Sequence, residues 1–221
     1  MKIKFRLGDL VWLLAAAAFF SIFVIPQTKE VSMAFIGNHP FIAGFIKYFI
    51  LASMGELLAQ RIAIGEWKKT KGFVPKAFFW GIIGVVITFM FTLFPFGVQA
   101  MIDKGLIPIA AGYVGTLLTA FYTSIVANCA FGPIFMAVHR ISDAKIEAAA
   151  DKKKMSIMDA VRSIDWVEFI RFIVGKTIPI FWVPALTITF LIPTEYRILF
   201  AAALSIALGV ILTVAKRKKS A

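Results

Sequence analysis

Residues 177–213, TIPIFWVPALTITFLIPTEYRILFAAALSIALGVILT, are two apolar runs joined by one short polar corner, and their reading decides the fold. The first run holds Pro179 and Pro184 and ends at Pro193. The corner Thr194, Glu195, Tyr196 and Arg197 leads into a second run with no charge before Lys216. At about 1.5 Å of rise per helical residue, each run suits a hydrocarbon layer roughly 30 Å thick. The pattern predicts a membrane hairpin. A proline inside such a run frees a backbone carbonyl and bends the helix, and in lipid that carbonyl needs a partner from protein or water. The interrupted run is therefore expected to face the protein interior.

The rest of the chain has the same character. Of its 221 residues 60% are hydrophobic, 14% aromatic and 16% charged, and the mean hydropathy is +0.87, values that exclude a soluble domain of this size. The expected fold is an all-α polytopic membrane bundle of about six spans, near residues 10–25, 41–64, 77–96, 107–138, 169–192 and 198–214. Pro26, Pro95 and Pro193 read as closing spans and Pro40 and Pro108 as opening them, the positions where a helix tolerates proline. The N-terminus, MKIKFRLGDLVWLLAAAAFFSIFVIPQ, starts basic and turns apolar as a secretory signal does. It has no small-x-small cleavage pattern before Pro26, so it reads as a retained first span. The single cysteine, Cys129, allows no intrachain disulfide and no thiol cluster for a metal.

The formal charge of +12 is explained by topology. Counted in alternate connections, 20 of the 24 Lys and Arg fall on one side, including Lys2, Lys4 and the run 216–219; Lys29, Lys104 and Arg197 fall on the other, and Lys47 lies within a span. Positive charge collects at cytoplasmic span ends, so both termini are expected in the cytoplasm, with the surplus charge facing anionic lipid. No nucleic-acid partner is expected. Trp12, Trp67, Trp80 and Trp166 fall at the inner interface and Tyr196 at the outer one. Trp182, between two prolines near mid-span, is expected to face the bundle as an anchor. The longest connection, 140–176, divides into a polar helix-forming run and an amphipathic run with Ser156 and Asp159 spaced as a capping box. It reads as a cytoplasmic segment lying along the inner interface, either an ordinary linker or a gating lever.

Within the spans, Glu56 and Gln60 share one helix face. A carboxylate at that depth must be paired, solvated or protonated, so Glu56 is either a functional group or half of an ion pair with Arg61 or a neighbouring helix. The long stem of Lys47 is expected to carry its charge to the outer interface. Gly112, Thr116, Thr119, Thr123, Ala127 and Ala130 form a small-residue seam that fits close helix packing or a hydrophilic passage. Asn128 begins the stretch NCAFGP, in which Gly132 and Pro133 are expected to break the helix as Pro179 and Pro184 do in the next span. Interrupted spans often line a cavity. Arg197 would either draw anions to the outer corner or cap the carbonyls of the preceding helix. No catalytic constellation, cofactor loop or metal-ligand spacing is present in the sequence, and no enzyme activity or cofactor is expected.

Several of these residues also follow one another in a suggestive order: His39 and Pro40; Gly55, Glu56 and Gln60; Pro95 and Asp103; Asn128 and Pro133; Trp182 and Pro184; Thr189 and Phe190; then Ile192, Pro193, Tyr196 and Arg197. In order and spacing they resemble the Mpv-seventeen/PMP-twenty-two family of small organellar membrane proteins, which has bacterial relatives. Glu56 replaces that family's Asp, and Ala127 stands where its second acid belongs. The resemblance covers 39 to about 218, which leaves 1–38 as an extra N-terminal span and outer loop beside a bundle over 39–221. It implies a helical membrane protein that forms a poorly selective channel for small solutes. Glu56, Gln60, Asn128 and Arg197 are the polar groups expected to border the passage. A secondary transporter with discontinuous helices and a non-transporting scaffold are the rival readings, and self-association into a homo-oligomer stays open. With no organellar address in the N-terminus, the expected location is a bacterial plasma (inner) membrane, ahead of a mitochondrial inner or peroxisomal one.

Overall fold

The computed structural model describes residues 5–219, and every regular element among them is helical. Lys2 and Lys4 of the charge tally, and the side chains of 216–219, lie outside the described residues. The helices are α1 (Leu7–Ser21), α2 (Pro26–Asn38), α3 (Pro40–Ile64), α4 (Phe73–Asp103), α5 (Gly112–Ala130), α6 (Gly132–Ala150), α7 (Ile157–Arg162) and α8 (Trp166–Glu168). A π-helical segment (Phe169–Trp182), α9 (Val183–Leu191) and α10 (Thr194–Lys219) follow. Five stretches are long and apolar enough to cross a membrane: Pro40–Ile64, Phe73–Asp103, Gly112–Ala130, Trp166–Leu191 and Thr194–Ile211. The bent pair α1 and α2 makes a sixth if counted as one span.

Several proline readings change. Pro26 opens α2 where an outer loop was expected, and the chain bends by 72° between α1 and α2. Pro suits the first helical position because its missing N–H would have had no partner there. Pro95 lies inside α4, which is longer than the expected 77–96 because the apolar run continues past it. Pro108 opens nothing. Residues 106–111 are irregular, and α5 starts at Gly112, whose φ of 65° suits a residue without a Cβ. The expected run 107–138 therefore divides into α5 and α6, parted at Phe131 with Pro133 in the first turn of α6. The polar run 141–150 continues that helix. The corner Thr194 to Arg197 is the first turn of α10, so only Ile192 and Pro193 join the two runs of the hairpin.

The chain forms two compact units: residues up to Thr88 with those from Ile198 onward, and Phe89–Arg197. In the first, α3 and α4 cross with their backbones in contact. A Cβ on Gly44 would run into the Thr88 hydroxyl and lie 2.8 Å from the Gly84 carbonyl oxygen, and one on Gly84 would collide with the Gly44 oxygen. Small residues permit this approach, which suits helices packed without a hydrophobic driving force between them. Tyr48 stacks on Trp80 and Phe45 packs edge-on against Phe78, while Leu51 is fully buried.

In the second unit α5 and α9 form the most extensive helix pair. Phe91 and Phe190 close its core with ring centroids 5.2 Å apart. Ser156 and Asp159 form the expected capping box at α7, and the hydroxyl and backbone N–H of Ser156 hold the Asp159 carboxyl below its usual range. The expected single amphipathic helix is instead two short ones, with α8 capped by Asp165. Of the aromatic residues in that run, Phe169 is buried, Trp166 half-buried and Phe172 exposed.

Candidate functional site

In the first unit, Glu56 and Gln60 lie half-buried in the last third of α3. Glu56 accepts the Thr70 hydroxyl and faces the Lys76 ammonium, 3.4 Å away. Of the two ion-pair alternatives the one with a neighbouring helix is realised, through Lys76 of α4, and not the one with Arg61. Arg61 instead grips Asp9 with two hydrogen bonds, Nε to Oδ1 at 2.6 Å and Nη2 to Oδ2 at 2.8 Å. Its third nitrogen donates to the carbonyl of Gly65 at 2.7 Å. Gly65, at φ 77°, caps α3 in the left-handed conformation. The Trp67 indole N–H donates to the same Asp9 oxygen as Arg61 Nε, at 2.8 Å, and the Trp12 indole to the carbonyl of Met54 at 2.9 Å. Forked, charge-assisted bonds of this kind are the strong ones. Beside them is an open cavity of about 260 Å³, walled by Trp12, Leu13, Leu58 and Ile62.

In the second unit the expected seam of α5 is buried only at Thr123 and Ala127, with Thr119 half-buried and Gly112, Thr116 and Ala130 exposed; the buried face is turned toward Ser124 and Asn128. Thr123 is 2% exposed, Ser124 0% and Asn128 4%. The Asn128 amide donates to the Ser124 carbonyl at 2.9 Å and lies 3.3 Å from its hydroxyl, and that hydroxyl donates to the carbonyl of Val183 at 2.7 Å. Val183 opens α9, and its N–H reaches back five residues to the carbonyl of Ile178, as a π-helix requires. The Val183 oxygen also accepts the Thr187 hydroxyl at 2.8 Å. Thr123, Thr177 and Thr189 likewise donate to carbonyls of their own turns.

Pro179 sits inside the π segment and Pro184 in the first turn of α9, so the interruption is a change of helical pitch without a gap. The break at Gly132 and Pro133 abuts it: a Cβ on Gly132 would lie 3.3 Å from the Ile178 side chain and 3.8 Å from the Asn128 oxygen. Trp182 is half-buried, edge-on to Phe181 at 5.1 Å.

Arg197 takes the capping alternative. Its Nε donates to the carbonyl of Ile192 at 3.1 Å and its Nη2 to that of Phe190 at 3.0 Å, with the guanidinium carbon over the Phe190 ring. The last carbonyls of α9 carry the negative end of its dipole, which the cation satisfies.

Glu56 and Gln60 belong to the first unit; within the second, Asn128 bonds Ser124, whose hydroxyl reaches Val183 at the start of α9, while Arg197 bonds carbonyls at its far end, about 12 Å from that start at the usual rise. Sequence reasoning missed Asp9, Thr70, Lys76 and Ser124. Asp9 and Lys76 flank their apolar runs, where charge is ordinary, while Ser124 four residues before Asn128 was a readable signal. Among the described residues, no three His, Cys, Asp or Glu side chains are grouped to hold a metal. No protein-family model, curated protein or solved structure matches the chain.

Proposed function

We propose that this chain is a multi-pass protein of a bacterial plasma (inner) membrane, with both termini cytoplasmic, that forms a low-selectivity passage for small solutes. The observation that carries the proposal is the discontinuity where the π segment meets α9, set against the buried hydroxyls and amide of α5. Such a junction has an alternative packing within reach, because helices that change pitch expose and re-form carbonyl bonds at the break. The buried cluster of Thr123, Ser124 and Asn128 is then the resting state, and Ser124, Asn128 and the Val183 carbonyl are the groups a solute would meet on opening. Membership of the Mpv-seventeen/PMP-twenty-two family rests on the residue order described above and is part of the same proposal. Bilayer lipid, anionic at the cytoplasmic face, is its constant partner.

The completeness of the internal bonding favours one rival. Glu56, Asn128 and Arg197 each bind a group of the chain itself, which suits a non-transporting scaffold. Efflux from liposomes containing the purified protein, graded by solute size, separates the readings, with Pro184→Ala alongside. Release with a size cutoff that changes in the variant is the expected result. Saturable uptake coupled to an ion would point to a transporter, and no release above empty liposomes from folded protein would leave the scaffold.

A further inference from the structure

Among the described residues three cations are buried: Arg61, Lys76 and Lys47. The first two face Asp9 and Glu56. Lys47 is 4% exposed, and its ammonium lies over the Phe23 ring, 5.8 Å from the centroid. Among the described residues no carboxylate, carbonyl or hydroxyl accepts a hydrogen bond from it. A ring face offsets part of what an ammonium loses on leaving water, but it offers no hydrogen-bond acceptor. In an apolar helix a cation so placed is a candidate binding group.

A second feature lies in the same place. Phe23 belongs to the 72° bend between α1 and α2, and α2 packs against α3, the helix of Lys47. Helix α2 opens at Pro26 with Ile25 as its N-cap, which supplies no side-chain acceptor. Pro26 has no N–H, so Gln27 and Thr28 present the first free amides, and no acceptor meets them among the described residues. Uncapped N-terminal amides attract anions, and broken membrane helices use them for that purpose. An oxygen anion in the bend would accept from Lys47 and from these amides together, with Phe23 as its apolar floor.

We propose that the α1–α2 bend binds a small oxyanion, a carboxylate or a phosphate, between the Lys47 ammonium and the opening amides of α2. This site stands whether or not the chain conducts solutes. Radiolabelled acetate and inorganic phosphate are titrated, each alone, onto the full-length protein in phosphatidylcholine nanodiscs. A parallel arm measures retention of phosphatidylglycerol by native mass spectrometry. Saturable binding is expected, kept in Lys47→Arg and weakened about tenfold or more in Lys47→Met, where one charge-assisted contact is lost.

Thr28→Pro serves as a second variant, since it removes one opening amide at a position where a helix accepts proline. It is expected to weaken binding severalfold even if Lys47→Met fails to fold. Binding of acetate or phosphate identifies a soluble ligand; dependence of phosphatidylglycerol alone on these residues identifies the lipid headgroup as the source of the same oxyanion. No binding by the unaltered protein, or binding unchanged in the variants that fold, overturns the proposal.

Discussion

In the first unit charged side chains pair with opposite charges, Asp9 with Arg61 and Glu56 with Lys76, beside bonds from Arg61, Trp12 and Thr88 to carbonyls, whereas in the second the polar contacts of Asn128, Ser124, several threonines and Arg197 run to backbone carbonyls. The difference follows from the helices. Where these charges sit in the first unit, α3 and residues 73–88 are regular α-helix that satisfies its own backbone, so the buried charged side chains there find one another. The second contains a π segment, a broken helix and a two-residue hairpin, all of which leave carbonyls for side chains to satisfy. Charge therefore holds the first unit, and repair of irregular backbone holds the second.

The largest effect expected from one atom group is at the glycine crossing. Gly84→Ala places a methyl group against the Gly44 carbonyl, and backbone cannot step aside as a side chain can. The loss is about 3 kcal/mol, at the upper end for overpacking, read as a fall in thermal midpoint in detergent. Gly97→Ala is the control, since nothing lies within 4 Å of its added Cβ. Helix propensity favours alanine at both positions, so a similar loss at both would mean that the close approach of α3 and α4 is not what sets the cost.

Glu56→Gln tests the charged contacts directly. Lys76 is buried, so losing the carboxylate leaves its ammonium facing a neutral amide. A fully buried pair would cost 3–5 kcal/mol to break, and the partial exposure of Glu56 reduces this to about 2 kcal/mol. Hydrogen exchange should quicken in α3 and in residues 73–88 while α5 and α9 keep their protection. Ser124→Ala should do the reverse at about 1 kcal/mol, because the Val183 carbonyl keeps the Thr187 hydroxyl. If either substitution opened both units equally, the division between them would fail.

How much of this was legible depends on how local the cause is. Helix α3 runs from Pro40 to Ile64 against an expected 41–64, because an unbroken apolar run with Pro at one end and Gly65 at the other leaves little choice. The capping box at Ser156 was equally local. Proline was harder: Pro26 and Pro95 each mark a feature, but proline fits the start, the end or a lipid-facing interior of a helix, and neighbours decide which. The partners of Glu56 and Arg61 were not legible. Arg61 lies five residues from Glu56 and 52 from Asp9, and only the path of α1 and the loop after α3 favours the distant acid. Arg197 could be read as a cap because its carbonyls are five and seven residues away.

The smallest expected effect has the opposite sign. Helix α6 ends with Lys153 N–H bonded to the Ala148 carbonyl at 2.8 Å and Lys152 N–H to that of Ala149 at 3.0 Å, which puts Lys152 at φ 58°, where glycine is usual. A side chain there costs about 1 kcal/mol. The ammonium returns part of this, about 0.3–0.5 kcal/mol, by facing the negative end of the α6 dipole. Lys152→Gly should therefore stabilise the protein by about 0.5 kcal/mol, net of relieved strain and lost charge. Lys152→Ala, which removes the charge but keeps the Cβ, should destabilise it by a few tenths. The pair of signs is what matters. If both variants lost stability, the cation would outweigh the backbone at this turn, and the second unit would depend on charge as the first does.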